Sequence, residues 1–151
     1  NPLFPSGLSL RYDPPRTDVP SDWCVFHIYN ALAPDRSFLD DETYLIRCFE
    51  AILDDALSKH DFRWFYTMTW LNAIPRWLHF FPAEWHENLS EPNTELYGNL
   101  GFLGQLLNRR GNLNKVTCGY LLKHGRLMYQ PRKSICSCKS MRDHLQKFPC
   151  R

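Results

Sequence analysis

Apolar positions at helical spacing are the strongest pattern in the chain. Between Asp40 and Lys59 they recur at steps of three and four residues, which places them on one face of an α-helix. Acidic residues at the start of this segment favour the positive end of the helix dipole. The apolar positions are Leu45, Phe49, Ile52, Leu53 and Ala56. We therefore predict a core-forming helix over residues 40–59.

Further helices are expected on both sides of this one. Ser21 can cap a helix that runs through Phe26 and ends near Pro34, and Asp61 can cap another that ends before Pro75. Periodicity also predicts helices at residues 94–107, 116–124 and 139–147. Residues 1–20 contain five prolines and are expected to form an extended arm. The pattern therefore predicts a mainly α-helical fold.

Length and composition favour one domain. The chain has 151 residues and is 44% hydrophobic, enough for a continuous core over residues 21–151 beside the Pro-rich arm 1–20. No apolar run reaches the roughly 20 residues that a membrane-spanning helix needs. The chain starts at Asn1 rather than at Met, as expected if a leader or an expression tag has been removed. We predict a secreted, extracellular protein without a membrane span.

Cysteine count supports that localisation. An even number of cysteines in a small domain indicates disulfides formed in an oxidising compartment, and three bonds are expected with their pairing left open. The six residues are Cys24, Cys48, Cys118, Cys136, Cys138 and Cys150. The triplet that starts at Asn88 is the only glycosylation sequon and lies in a polar stretch. The sequence thus predicts a helical domain held together by three disulfides.

Two other uses of the cysteines remain open. Zinc could be bound by a set of three thiols and one imidazole, although one residue between the first two thiols is fewer than zinc sites usually have. That set is Cys136, Cys138, His144 and Cys150. A hydrolase could use Cys24 as a nucleophile if an imidazole activates its thiol. The candidate histidines are His60, His79, His86 and His124.

Charge is strongly divided along the chain. Residues 1–108 carry a net charge of −8, whereas residues 109–151 carry +10. This basic third either folds back onto the acidic remainder or offers a docking surface for a polyanion or an acidic partner. Nucleic acid is one such polyanion, although no known reading module is present. The candidate contacts are Arg109, Arg110, Arg132 and Lys133.

Aromatic residues are dense between positions 64 and 85. Most are expected in the core, but those beside prolines and polar residues can stay partly exposed, where aromatic side chains favour recognition. The candidate partner-binding residues in this band are Trp77, His79, Trp85 and His86.

A cysteine, a tyrosine and a second cysteine occur in order twice. The first set is Cys24, Tyr44 and Cys48, and the second is Cys118, Tyr129 and Cys136. This arrangement resembles the bicycle family of secreted effectors from gall-forming aphids, which has two such motifs. The resemblance covers most of residues 24–136. It implies a salivary protein delivered into a plant, with no catalytic residue to carry over.

These patterns favour binding over catalysis. No phosphate loop, nucleophile elbow or zinc-protease helix is found, and no cofactor is predicted. We predict a non-enzymatic protein that binds a macromolecular partner, a protein first, through the aromatic band, the basic third or both. The alternatives are a small secreted hydrolase without a recognisable motif and a protein that binds a polyanion or nucleic acid through its basic third.

Overall fold

The computed structural model describes residues 9–32, 35–92 and 105–149. These residues form a four-stranded mixed sheet with helices packed against one of its faces. The strands are β1 (Leu10–Tyr12), β2 (Trp23–Ile28), β3 (Trp64–Thr69) and β4 (Arg132–Ser137), and they lie in that order across the sheet. The central pair β2 and β3 is parallel, whereas β1 and β4 run antiparallel to their neighbours.

Five α-helices and two 3₁₀ helices lie entirely within the described residues. They are α1 (Glu42–Lys59), α2 (Pro75–Leu78), α3 (Ala83–Glu87), α4 (Lys115–His124) and α5 (Cys138–Leu145), with 3₁₀ helices at Phe38–Asp40 and Trp70–Ala73. Helix α1 connects the parallel strands β2 and β3, as a parallel pair requires. Its side-chain cap is Asp41, whose carboxylate accepts a hydrogen bond from the backbone N–H of Tyr44.

The prediction of a mainly α-helical fold is wrong, because two segments predicted as helices are the central strands β2 and β3. Residues 23–28 and 64–69 are rich in aromatic, Val and Thr side chains, which suit strands. Three consecutive residues of β2, Cys24 to Phe26, are buried. Burial on both faces produces an apolar run without the alternation of a half-exposed strand, and such a run resembles a buried helix segment.

Other helices agree with the prediction. Helix α1 matches the segment predicted from its periodicity, and its apolar face is buried from Leu45 to Ala56. Helix α4 ends at Gly125, which adopts a left-handed conformation with φ +68°. Helix α5 lies within the predicted segment 139–147 apart from its first residue. The helix predicted at residues 94–107 lies almost entirely outside the described residues.

The prediction of disulfides is also wrong. All five described cysteines, Cys24, Cys48, Cys118, Cys136 and Cys138, are free thiols, and Cys150 lies outside the described residues. Cys24 and Cys136 face Phe65 from the strands on either side of it. Two strand spacings separate their backbones by about 9.6 Å, beyond the reach of a disulfide. Four of the five are buried and act as small apolar side chains.

The core lies between the helices and the inner face of the sheet. Phe26 and Phe65 stack there with ring centroids 4.1 Å apart. Helix α5 contributes Met141 and Leu145, so apolar burial rather than a disulfide holds the C-terminal segment on the sheet. The outer face is less covered, since Trp64 and Met68 are each 37% exposed. Among the described residues, no helix is long and apolar enough to cross a bilayer.

Candidate functional site

A groove of about 1460 Å³ lies beyond the carboxyl ends of the parallel strands β2 and β3. Residues 28–30 line it where β2 ends, and residues 69–71 line it where β3 ends. In open sheets with parallel strands, ligands commonly bind outside the carboxyl ends of the strands. The position of the groove therefore marks it as the candidate site.

Cationic side chains reach this groove from several elements. Arg11 of β1 lies directly opposite His27 of β2 in the sheet, and both line the groove. Arg76 comes from α2, and Arg109 and Arg110 come from a turn before α4. Among the described lining residues there is no Asp or Glu. We call this cavity the arginine groove.

The turn that carries Arg109 and Arg110 spans residues 108–112, and we call it the arginine turn. The backbone N–H of Asn108 donates to the carbonyl oxygen of Asn112 at 2.7 Å. The side-chain oxygen of Asn108 accepts from the backbone N–H groups of Arg110 and Asn112. Gly111 has φ +81°, a conformation that favours glycine. These bonds hold the backbone while both arginine side chains stay exposed.

Carboxylates neutralise only part of the charge in the groove. His27 contacts the carboxylate of Asp13 at 2.8 Å, and Arg76 is paired with Asp40. Within the described residues, Arg11, Arg109 and Arg110 form no ion pair. Three fixed positive charges are therefore available to an anionic ligand in the groove.

Most of the described basic side chains after residue 108 also form no ion pair with a carboxylate. In the part of the chain that the structure describes, one ion pair joins residues 109–149 to the acidic body, and it connects Arg142 with Asp54. Lys139 pairs with Asp143 inside α5. Direct pairing therefore accounts for little of the charge on this segment.

Aromatic side chains line the same groove. Trp70 and Tyr129 stack with ring centroids 5.9 Å apart and an angle of 25° between their planes. Tyr29, at the end of β2, is 44% exposed. The groove thus combines flat apolar rings with unpaired guanidinium groups.

The residues of the predicted aromatic site are placed differently. Trp77 and Trp85 are fully buried, and both indole N–H groups donate to the side-chain oxygen of Asn72. His79 and His86 are exposed, with His79 at 2.9 Å from the carboxylate of Glu42. Because both indoles belong to the core, neither ring can contact a partner.

The remaining predicted site residues lie near the edge strand β4. Arg132 donates from Nε to the carbonyl oxygen of Ser90 at 2.7 Å, whereas Lys133 is exposed beside Met68. Asn88 is exposed and its amide donates to the carbonyl oxygen of Ile135. Glycosylation at Asn88 stays a prediction. Of the four basic residues predicted as contacts, only Arg109 and Arg110 line the groove.

The cysteine-based alternatives find no support in the geometry. Cys24 is fully buried, and burial raises the pKa of its thiol. Burial also raises the pKa of Cys138 to about 12, which opposes formation of a thiolate. Within the described residues, no candidate histidine hydrogen-bonds to Cys24, and no cluster of three or more His, Cys, Asp or Glu side chains could hold a metal ion.

Several residues of the groove were not predicted as site residues from the sequence. They are Arg11, Tyr29, Trp70, Arg76 and Tyr129. For Tyr29 and Trp70 the signal was positional: once residues 23–28 and 64–69 are recognised as parallel strands, these two residues, which directly follow them, fall at the ligand-binding edge. Comparison with known proteins does not extend this picture, since no family model, curated protein or solved structure matches the chain. Similarity to the bicycle family stays a prediction.

Proposed function

We propose that this protein is a non-enzymatic binding protein that holds a polyanionic chain in the arginine groove. The observation that carries the proposal is the group of three unpaired arginines, Arg11, Arg109 and Arg110, around one cavity without a described acidic lining residue. Guanidinium groups bind phosphate and sulfate in a planar, bidentate manner and keep their charge at all physiological pH values. Such a site favours an anion over a neutral ligand.

The size of the groove favours a chain over a small anion. Its volume of about 1460 Å³ exceeds the roughly 300–1000 Å³ of typical small-molecule pockets. Its unpaired arginines belong to two separate elements, strand β1 and the arginine turn. A ligand that contacts both must carry anionic groups at more than one position, as a polyanion does.

The uncompensated charge outside the groove supports the same ligand. Exposed Lys123, Lys133 and Lys147 form no ion pair within the described residues. A field of one sign raises the rate at which an oppositely charged chain reaches the groove. A protein partner at the aromatic band is less well supported, because Trp77 and Trp85 are buried.

The test is fluorescence anisotropy with two labelled probes, heparin and single-stranded poly-dT, titrated with the full chain at increasing salt. Both probes should bind at low ionic strength, and the affinity should fall as salt rises. The double variant R109Q/R110Q should weaken binding of both probes and reduce the salt slope for poly-dT by roughly 1.4.

A matched control separates the site from the overall charge. The double variant K123Q/K147Q removes the same net charge at exposed positions outside the groove. It should weaken binding less than R109Q/R110Q does. Absence of binding at low salt, or equal losses in the two double variants, would overturn the proposal.

A further inference from the structure

We infer that the polyanion is a single-stranded nucleic acid whose bases stack on the aromatic rings of the arginine groove while its phosphates contact the arginine turn. This inference rests on the proposed function and narrows the class of its ligand. Unpaired nucleotides combine flat apolar faces with a negative charge at each phosphate, and proteins bind them with aromatic rings set in cationic grooves.

The main aromatic surface is held in place before any ligand arrives. Trp70 follows β3 directly, and the hydroxyl of Thr69 caps its 3₁₀ helix by accepting from the N–H of Leu71. Tyr129 packs against the ring of Trp70 and is bound through its backbone to Gln105. Because folding has already ordered these two rings, a base that stacks on them costs little further conformational entropy.

Apolar surface continues across the groove beyond this stacked pair. Tyr29 is 44% exposed at the end of β2, and Met68 is 37% exposed on the outer face of β3. Leu107, next to the arginine turn, is 47% exposed. All three line the groove. A sulfated sugar chain has no large apolar faces to cover them, whereas nucleobases do.

A duplex fits the same surface less well. Its bases are stacked inside the double helix, so their faces are not available to Trp70 or Tyr29. A duplex could contact the arginines through its phosphates, but it would leave the exposed aromatic surface in water. The groove therefore favours unpaired strands over duplexes of equal charge.

Three amide side chains that line the groove are already engaged. The side-chain oxygen of Asn30 accepts from the backbone N–H groups of Leu32 and Phe38, and those of Asn108 and Asn114 likewise accept from backbone N–H groups. Free Asn amides are common readers of base edges. With their oxygens occupied, we expect little preference for one base sequence over another.

The experiment compares poly-dT, a DNA duplex of the same length and heparin against the full chain at one salt concentration. Poly-dT should bind most tightly. It should also quench the fluorescence of the wild-type protein, because a base stacks on Trp70, whereas heparin should not. The variant W70L should lose this quenching and bind poly-dT roughly tenfold more weakly, with its affinity for heparin unchanged.

Trp64 provides the matched control. It lies at the other end of β3, is 37% exposed and lines a separate, smaller depression. W64L should keep both the quenching by poly-dT and the affinity for it. Y29A, which changes an exposed ring outside the core cluster, tests the same surface if W70L does not fold. It should weaken poly-dT binding severalfold.

The outcomes distinguish this inference from the proposed function. If poly-dT, duplex and heparin bind equally, and W70L and Y29A behave like W64L, polyanion binding stands and the single-strand inference is overturned. If no probe binds at low salt, the proposed function itself fails. Tighter binding of the duplex than of poly-dT would also overturn the inference.

Discussion

Gln105 and Tyr129 are joined by two hydrogen bonds between the Gln105 side chain and the Tyr129 backbone. The amide nitrogen of Gln105 donates to the carbonyl oxygen at 2.8 Å, and its oxygen accepts from the N–H at 2.9 Å. Gln105 is buried, and its own carbonyl oxygen accepts from the hydroxyl of Thr117 in α4. Gln105 therefore connects the segment before the arginine turn with the aromatic surface through its side chain and with the start of α4 through its backbone.

The first prediction concerns this connection. The variant Q105A leaves the N–H and C=O of Tyr129 without their partners and should destabilise the fold by about 2 kcal/mol. Because the ring of Tyr129 is then less well held, affinity for poly-dT should also fall. Urea denaturation measures the first effect and anisotropy the second. Q146A at an exposed position is the control, and equal stability of the two variants would contradict this role.

The second prediction concerns the buried amide of Asn72. Its oxygen accepts from the indole N–H groups of Trp77 and Trp85, and its nitrogen donates to the carbonyl oxygen of Arg132 at 2.8 Å. The variant N72L removes the partner of two buried indole N–H groups and of the carbonyl oxygen of Arg132. We expect a loss of roughly 3 kcal/mol in the free energy of unfolding.

Chemical denaturation measures this loss. The near-ultraviolet circular dichroism signal should also decrease, because the two indoles lose their fixed orientation. The control is N112A. Asn112 is exposed and takes part in the arginine turn through its backbone, so the stability of this variant should stay close to that of wild type. Wild-type stability in N72L would show that the indoles find other partners.

Part of the fold could be predicted from sequence because local signals agreed with tertiary structure. Helix α1 has a cap at Asp41, and its buried face recurs at helical spacing. Strands β2 and β3 had no such signal. In β2, Phe26 meets the helices while Val25 is buried on the other face, so the expected alternation is lost. In β3 the burial alternates, but the outer positions Trp64 and Met68 are also apolar, so the sequence does not alternate.

The site could be predicted only where it depends on charge. Arg109 and Arg110 stood out because the C-terminal third is basic. Arg11 and Trp70 lie near them only because the order of strands in the sheet brings their segments together. Spacing along the chain does not contain that information. The prediction for the aromatic band was wrong for a similar reason. Its polar neighbours suggested that Trp77 is exposed, whereas the indole N–H of Trp77 donates to Asn72 in the core.

A third prediction concerns the free thiols. Burial raises the pKa of Cys24, Cys136 and Cys138, so these thiols should react slowly with an alkylating reagent in the native state. Cys118 is only partly buried and should be modified first among the five described cysteines. Mass spectrometry after timed alkylation identifies the order. Rapid modification of Cys24, or a disulfide among the five in the native protein, would contradict the structure.

The fourth prediction concerns acid stability at Asp55. The ammonium of Lys59 and the hydroxyl of Tyr12 both donate to this carboxylate and hold its pKa below the usual range. Because the folded state favours the charged form, this stabilisation is present above the ordinary carboxyl pKa of about 3.9 and is lost as pH falls through the lowered value. D55N should therefore be less stable than wild type at neutral pH, and the difference in unfolding free energy should shrink in acid. The exposed control D61N should show no such trend, and a difference for D55N that persists in acid would refute this account.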